Sequence, residues 1–276
     1  MQRIDAHQHF WKYTPDRDQW ITDNMGIIKR DFLPEDIAPV LQRNNIDGCV
    51  VVQSSQSTEE NHFQLNNASA HECIKGVVGW VDFQASDIDE QLSYYKQFGK
   101  MKGFRHVLQD EKERDFMLQR RFMDGIGLLK DHNFTYDLLV LPDQLKYLRD
   151  FVSIFPDQRF VLDHLAKPHV KEKEILRWKK DIVALASHEN VYCKVSGMIT
   201  EADWHTWRSS DFTPYLDVVV ESFGMKRLMF GSDWPVCLLA GTYERMLAVV
   251  TEYFGSFSQN EQQLLYGKNA IDFYNL

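Results

Sequence analysis

The chain has 276 residues, 44% hydrophobic and 26% charged, which is long enough and apolar enough to bury a large core without disulfide or metal staples. A disordered, collagen-like or disulfide-scaffold protein is thereby excluded. Lysine and arginine number 31 against 40 acidic residues, a formal net charge of −9. The positives Lys171, Lys173, Lys179 and Lys180 interleave with Glu172, Glu174 and Asp181, the pattern of a solvated helix face, so neither nucleic acid nor an anionic membrane is expected as a partner.

One pattern repeats along the chain: a short apolar run, then an amphipathic stretch of helical length. Strands are predicted at 3–9, 48–53, 76–81, 101–107, 135–140, 159–164, 191–196 and 227–233. Helices are predicted to start at Pro34 and Thr58, to start again at Pro142, and to cover 172–187, 212–223, 243–254 and 259–266. No linker or change of composition divides the chain, so 1–276 reads as one unit. Alternation of this kind argues for βαβ units and a parallel sheet. Eight repeats are the number of a (β/α)₈ barrel, with a doubly wound sheet as the other solution.

Cys49, Cys73, Cys193 and Cys237 form no C-x-x-C pair and read as buried free thiols. No apolar run follows the first residues and no stretch of about 18 apolar residues occurs, so the expectation is a cytoplasmic protein without signal peptide or membrane span.

Parallel strands with both faces covered should be almost wholly apolar, so polar residues at their C-terminal ends ask for a reason. His7 and His9, two apart, share one strand face and suit a metal or an oxyanion. At the end of strand six, Asp163 and His164 alternate, and His164 is the one expected to face the lumen. Asp233 ends an apolar strand, where a carboxylate needs a partner. Arg105 or His106 could polarise a substrate oxygen. Gln53, Lys194 and Ser196 are further hydrogen-bonding groups, and Trp11 and Trp234 could wall the pocket. Walker, G-x-G-x-x-G, G-x-S-x-G and H-E-x-x-H patterns are absent, which disfavours a nucleotide cofactor and a serine nucleophile. What remains is His, Asp and a metal option, the equipment for activating water.

The segments DAHQHFW (5–11), KGFRHVLQ (102–109), LDHLAKP (162–168), KVSGMITEADW (194–204), MFGSDWPV (229–236) and the C-terminal NAIDFYNL resemble the amidohydrolase superfamily. The likeness is to its amidohydrolase-2 branch, and within it to sugar-lactone hydrolases of the L-fuconolactonase and L-rhamnonolactonase type. The resemblance implies a TIM barrel with a site made of His7, His9, His164 and Asp233. It implies lactone hydrolysis by activated water with Asp233 as general base, and His164, His106 or Arg105 facing the oxyanion. One departure stands out: strand five (134–138) carries no histidine. The implied cofactor is at most one divalent metal, zinc, on His7, His9, His164 and Asp233, which the chemistry can do without. The implied partner is a small sugar lactone, and homo-oligomerisation is left open. Two other readings are a metal-dependent decarboxylase of an aromatic or unsaturated acid, and a non-catalytic sugar-binding barrel.

Overall fold

The computed structural model describes residues 2–276. Eight parallel strands pair in chain order: β1 (Ile4–Gln8), β2 (Gly48–Val52), β3 (Ile74–Gly79), β4 (Met101–His106), β5 (Thr135–Leu138), β6 (Phe160–Leu162), β7 (Val191–Val195) and β8 (Leu228–Phe230). Just beyond the last strand, Asp233 N donates to His7 O (2.8 Å) and His9 N to Trp234 O (2.7 Å), which joins the end of β8 to β1. The sheet is a closed (β/α)₈ barrel.

The helices α1 (Pro34–Arg43), α2 (Thr58–Ala70), α3 (Ile88–Tyr95), α4 (Arg120–Gly127), α5 (Leu145–Ile154), α6 (Leu176–Ala186), α7 (Thr213–Phe223) and α8 (Tyr243–Phe254) follow the strands in turn. Local chemistry sets their starts. Pro34 opens α1, where a missing N–H costs nothing. Ser57 caps α2 and Thr242 caps α8 by accepting from the backbone N–H three residues on. The chain ends in α9 (Gln259–Gln263), a π-turn and α10 (Asn269–Tyr274).

Two sequence expectations change here. The sequence pattern marks neither α3 nor α4: each has only eight residues, and α4 contains two glycines. Strand six stops at Leu162 and strand eight at Phe230, because the residues beyond them leave the ladder to enter the site.

The lumen is filled by Ile4, Ala6, Val50, Val52, Val78, Val161 and Met229, and α10 closes it from below with Ala270, Phe273 and Tyr274. A larger apolar layer lies between strands and helices. Cys49, Cys193 and Cys237 are buried thiols, while Cys73 is half-buried. Among the described residues no helix is long and apolar enough to cross a membrane.

Candidate active site

Strict alternation along β1 would turn His7 away from the face that Ile4 and Ala6 share. The register prevents it: Asp5 pairs with Cys49 but Gln8 with Val51, so β1 carries one extra residue. A bulge of this kind re-aims side chains, and here Ala6, His7 and His9 all reach the lumen. His7 Nε2 and His9 Nε2 lie 3.2 Å apart.

At the end of β6 the chain turns through the left-handed region, with φ of +54°, +55°, +56° and +48° at His164, Leu165, Ala166 and Lys167. Asp163 faces inward in phase with Val161, and the turn brings His164 inward as well, so the expectation that only His164 would do so is corrected. His164 Nδ1 is 2.8 Å from Ser196 Oγ. Gly197 follows at φ +62°, and a Cβ there would sit 2.5 Å from His164 Nδ1.

Asp233, also left-handed at φ +56°, is the point of convergence. Its Oδ1 is 3.3 Å from His9 Nε2 and 3.8 Å from the Nε2 of both His7 and His164. Burial alone would raise its carboxyl, but His164, His9 and His7 outweigh burial and hold it below the usual carboxylate range. Burial pushes His164 down to about 4 and His7 well below its ordinary value. These shifts favour an ionised carboxylate at Asp233 and uncharged rings at His7 and His164.

Beneath it lies a sealed charge network. Lys194, fully buried, reaches Asp137 Oδ2 at 2.5 Å, Asp163 Oδ1 at 3.0 Å and His7 Nδ1 at 3.1 Å. Tyr274 donates to Asp137 (2.9 Å), and Arg105 Nη1 donates to Asp163 Oδ2 (3.0 Å). Arg105 also donates to the Gln53 carbonyl, while its Nε finds no acceptor among the described residues. Burial works against ionised Asp163, but Lys194, His7 and Arg105 hold its carboxyl well below the ordinary range.

A cavity of about 290 Å³ opens above Asp233, His9, His164 and Arg105, and its mouth includes Arg17, Trp20, Gln56, Gln109, Asp110 and Lys167. Such a volume suits a small polar molecule. Several candidates lie outside this cavity. His106 points into the helix layer, with Nε2 2.7 Å from Glu111 and its ring stacked on Phe116, because it alternates with the inward Arg105. Trp11 donates to the Arg30 carbonyl and Trp234 packs on Phe10 and Phe32; both are core residues, and Trp20 stands at the mouth instead. Gln53 is sealed against the Arg105 carbonyl, and Lys194 is held below the site, so neither is exposed to the cavity.

Asp137 and Tyr274 are not among the site residues that the sequence marks. A carboxylate inside the short β5 was the available signal for Asp137, whereas nothing in the sequence marks Tyr274 as reaching the lumen.

The donor set fits a cation. Because the Val52 carbonyl accepts from His9 Nδ1–H (2.8 Å), a neutral His9 turns a bare Nε2 toward Asp233. Ligand atoms of His7, His164 and Asp233 all lie within 4.8 Å of one another, the nitrogen and oxygen set that zinc accepts.

Comparison with known proteins follows the same line. The chain is 37% identical to an L-fucono-1,5-lactonase of Burkholderia multivorans, covering 99% of this chain and 96% of that one. It is 35% identical, with the same coverage, to an L-fucono-1,5-lactonase of Burkholderia ambifaria. An amidohydrolase of Burkholderia multivorans solved with bound zinc superposes with a TM-score of 0.96 at 37% identity, covering both chains fully. The Amidohydrolase family model matches residues 4–276, and this protein belongs to that family.

Proposed function

We propose that this protein opens a sugar lactone, of the L-fucono-1,5-lactone type, by attack of water on the lactone carbonyl. The observation that carries the reading is Asp233: a buried carboxylate ringed by three imidazoles at a small polar cavity. Full-length similarity to two L-fucono-1,5-lactonases supports the substrate class.

In this reading Asp233 takes a proton from the attacking water. Arg105, which lines the cavity, stabilises the negative oxygen of the tetrahedral intermediate, an effect of about 3–4 kcal/mol per donor. Asp233 then returns its proton to the departing ring alkoxide, so one residue acts as base and acid. Ser196 keeps His164 oriented toward Asp233. Gln56, Gln109 and Asp110 offer partners for sugar hydroxyls, and Val107, Leu139 and Val236 offer a wall for the carbon face. His7, His164 and Asp233, with His9 beside them, would hold a zinc ion, which when bound supplies Lewis acidity toward a water or a carbonyl.

The test is acid release from a panel of aldonolactones, followed with a pH indicator, for wild type and Asp233→Asn. A rate loss of roughly 10²–10⁴-fold in the variant, with unchanged circular dichroism, is expected. Turnover of no lactone, or near-wild-type turnover by Asp233→Asn, overturns the reading. Release of CO₂ from an aromatic acid would favour decarboxylation in its place.

A further inference from the structure

Lys194 occupies the centre of a cage of three acceptors. His7 Nδ1, Asp137 and Asp163 offer ligand atoms within 4.8 Å of one another, and the Lys194 ammonium stands among them at 3.1, 2.5 and 3.0 Å. An ammonium has three N–H donors; His7 Nδ1 and Asp137 Oδ2 accept two of them, while Asp163 Oδ1, close to Lys194 Nζ, is buried without a hydrogen-bond partner among the described residues. Yet the same His7 Nδ1 is also 3.3 Å from Asp163 Oδ1. A ring nitrogen cannot accept from Lys194 and donate to Asp163 at once.

The two arrangements differ at the other side of the ring. When Lys194 donates to Nδ1, a neutral His7 carries its proton on Nε2, facing His9 Nε2 at 3.2 Å and Asp233 Oδ1 at 3.8 Å. A protonated nitrogen has no lone pair for a metal. When Asp163 accepts from Nδ1–H, Nε2 is bare and can ligate, as in carboxylate–histidine–metal pairs. In that state one Lys194 N–H loses its acceptor in a fully buried place, which is costly.

We propose that Lys194 and Asp163 compete for Nδ1 of His7, and that this competition governs how tightly the His7–His164–Asp233 cluster holds a divalent metal. Lys194 is a positioning residue that favours the metal-free arrangement; Asp163 favours the metal-bound one. No proton is lost or gained: metal binding moves the His7 proton from Nε2 to Nδ1. The inference rests on reading the cluster as a metal centre and needs no assumption about the substrate.

The test measures zinc affinity by competition with a chromophoric chelator, without substrate. Lys194→Met should bind zinc at least about tenfold more tightly than wild type, and Asp163→Asn about 10–100-fold more weakly. Because the emptied cage could itself take zinc, the gain must vanish when Asp233→Asn is added to Lys194→Met. Unchanged or weaker binding by Lys194→Met overturns the proposal, and so does a gain that survives Asp233→Asn. Should Lys194→Met not fold, Lys194→Met with Asp137→Asn removes the charge together with one of its partners and takes its place. Wild-type protein gives an independent reading by ¹⁵N NMR of the His7 ring. The proton should sit on Nε2 without zinc and on Nδ1 with it; a proton already on Nδ1 in metal-free protein overturns the proposal.

Discussion

His164 and Asp233 leave two different strands through the same left-handed bend, at φ +54° and +56°, and meet with Nε2 and Oδ1 3.8 Å apart. Neither would face the other from a continued strand. The site therefore depends on strained backbone supported by its neighbours, a common location for functional side chains.

Gly197 is one such support. Gly197→Ala meets both a positive φ and a contact of 2.5 Å with the His164 ring. It should lose about 1–2 kcal/mol of stability from the backbone and about 10²-fold in kcat/KM from displacement of the ring. Gly224→Ala, at φ +65° with nothing within 4 Å, should show the stability loss without the kinetic one. Urea unfolding and steady-state rates of the two variants separate these effects.

Ser196→Ala removes the hydroxyl 2.8 Å from His164 Nδ1 and with it the contact that fixes the ring. A fall of roughly 10–100-fold in activity is expected, in line with loss of an orienting partner. Circular dichroism and melting temperature close to wild type, alongside that fall, would identify the effect as one of orientation.

Acid should act on stability through His164. The unfolded imidazole protonates near 6.5 and the folded one near 4, so between those values the unfolded chain binds more protons. Stability from this group is complete above pH 6.5 and is lost as pH falls through about 4. Relative to His164→Gln, wild type should lose about 3 kcal/mol across that window, measured by urea titration at each pH. The acid limb of kcat/KM should likewise fall nearer pH 4 than 6.5.

Tyr274 donates to Asp137 from the barrel floor. Tyr274→Phe leaves a buried carboxylate with one partner fewer, a loss of about 1–3 kcal/mol. Chemical denaturation should show it as a lower midpoint with an unchanged slope.

Much of this architecture could be read from residues alone. Val-rich runs such as 48–53 between charged stretches gave the eight-strand alternation, and polar residues closing apolar runs singled out His7, His9, His164 and Asp233. Alternation failed where the backbone departs from a regular strand. It places His7 beside His9, but that both face the lumen with Ile4 and Ala6 depends on the β1 bulge between Asp5 and Gln8. It made Asp163 and His164 exclusive, whereas Asp163 keeps the inward phase of Val161 and the left-handed turn that begins at His164, invisible in residue types, brings the histidine in beside it. Trp11 and Trp234 looked like pocket walls by proximity in sequence, yet large aromatics beside a site are more readily absorbed by the core than by its mouth. Tyr274 could not be found at all, since its partner Asp137 is 137 residues away.

The joining of β8 to β1 has a consequence for dissection of the chain. His7, His9 and Arg105 come from one half and Asp163, His164, Lys194 and Asp233 from the other, with backbone bonds between His7, His9 and the Asp233–Trp234 peptide holding the halves in register. A cut in the loop after α4 would give two inert fragments whose reassembly restores every group at once, which makes the enzyme a natural reporter for split-protein complementation.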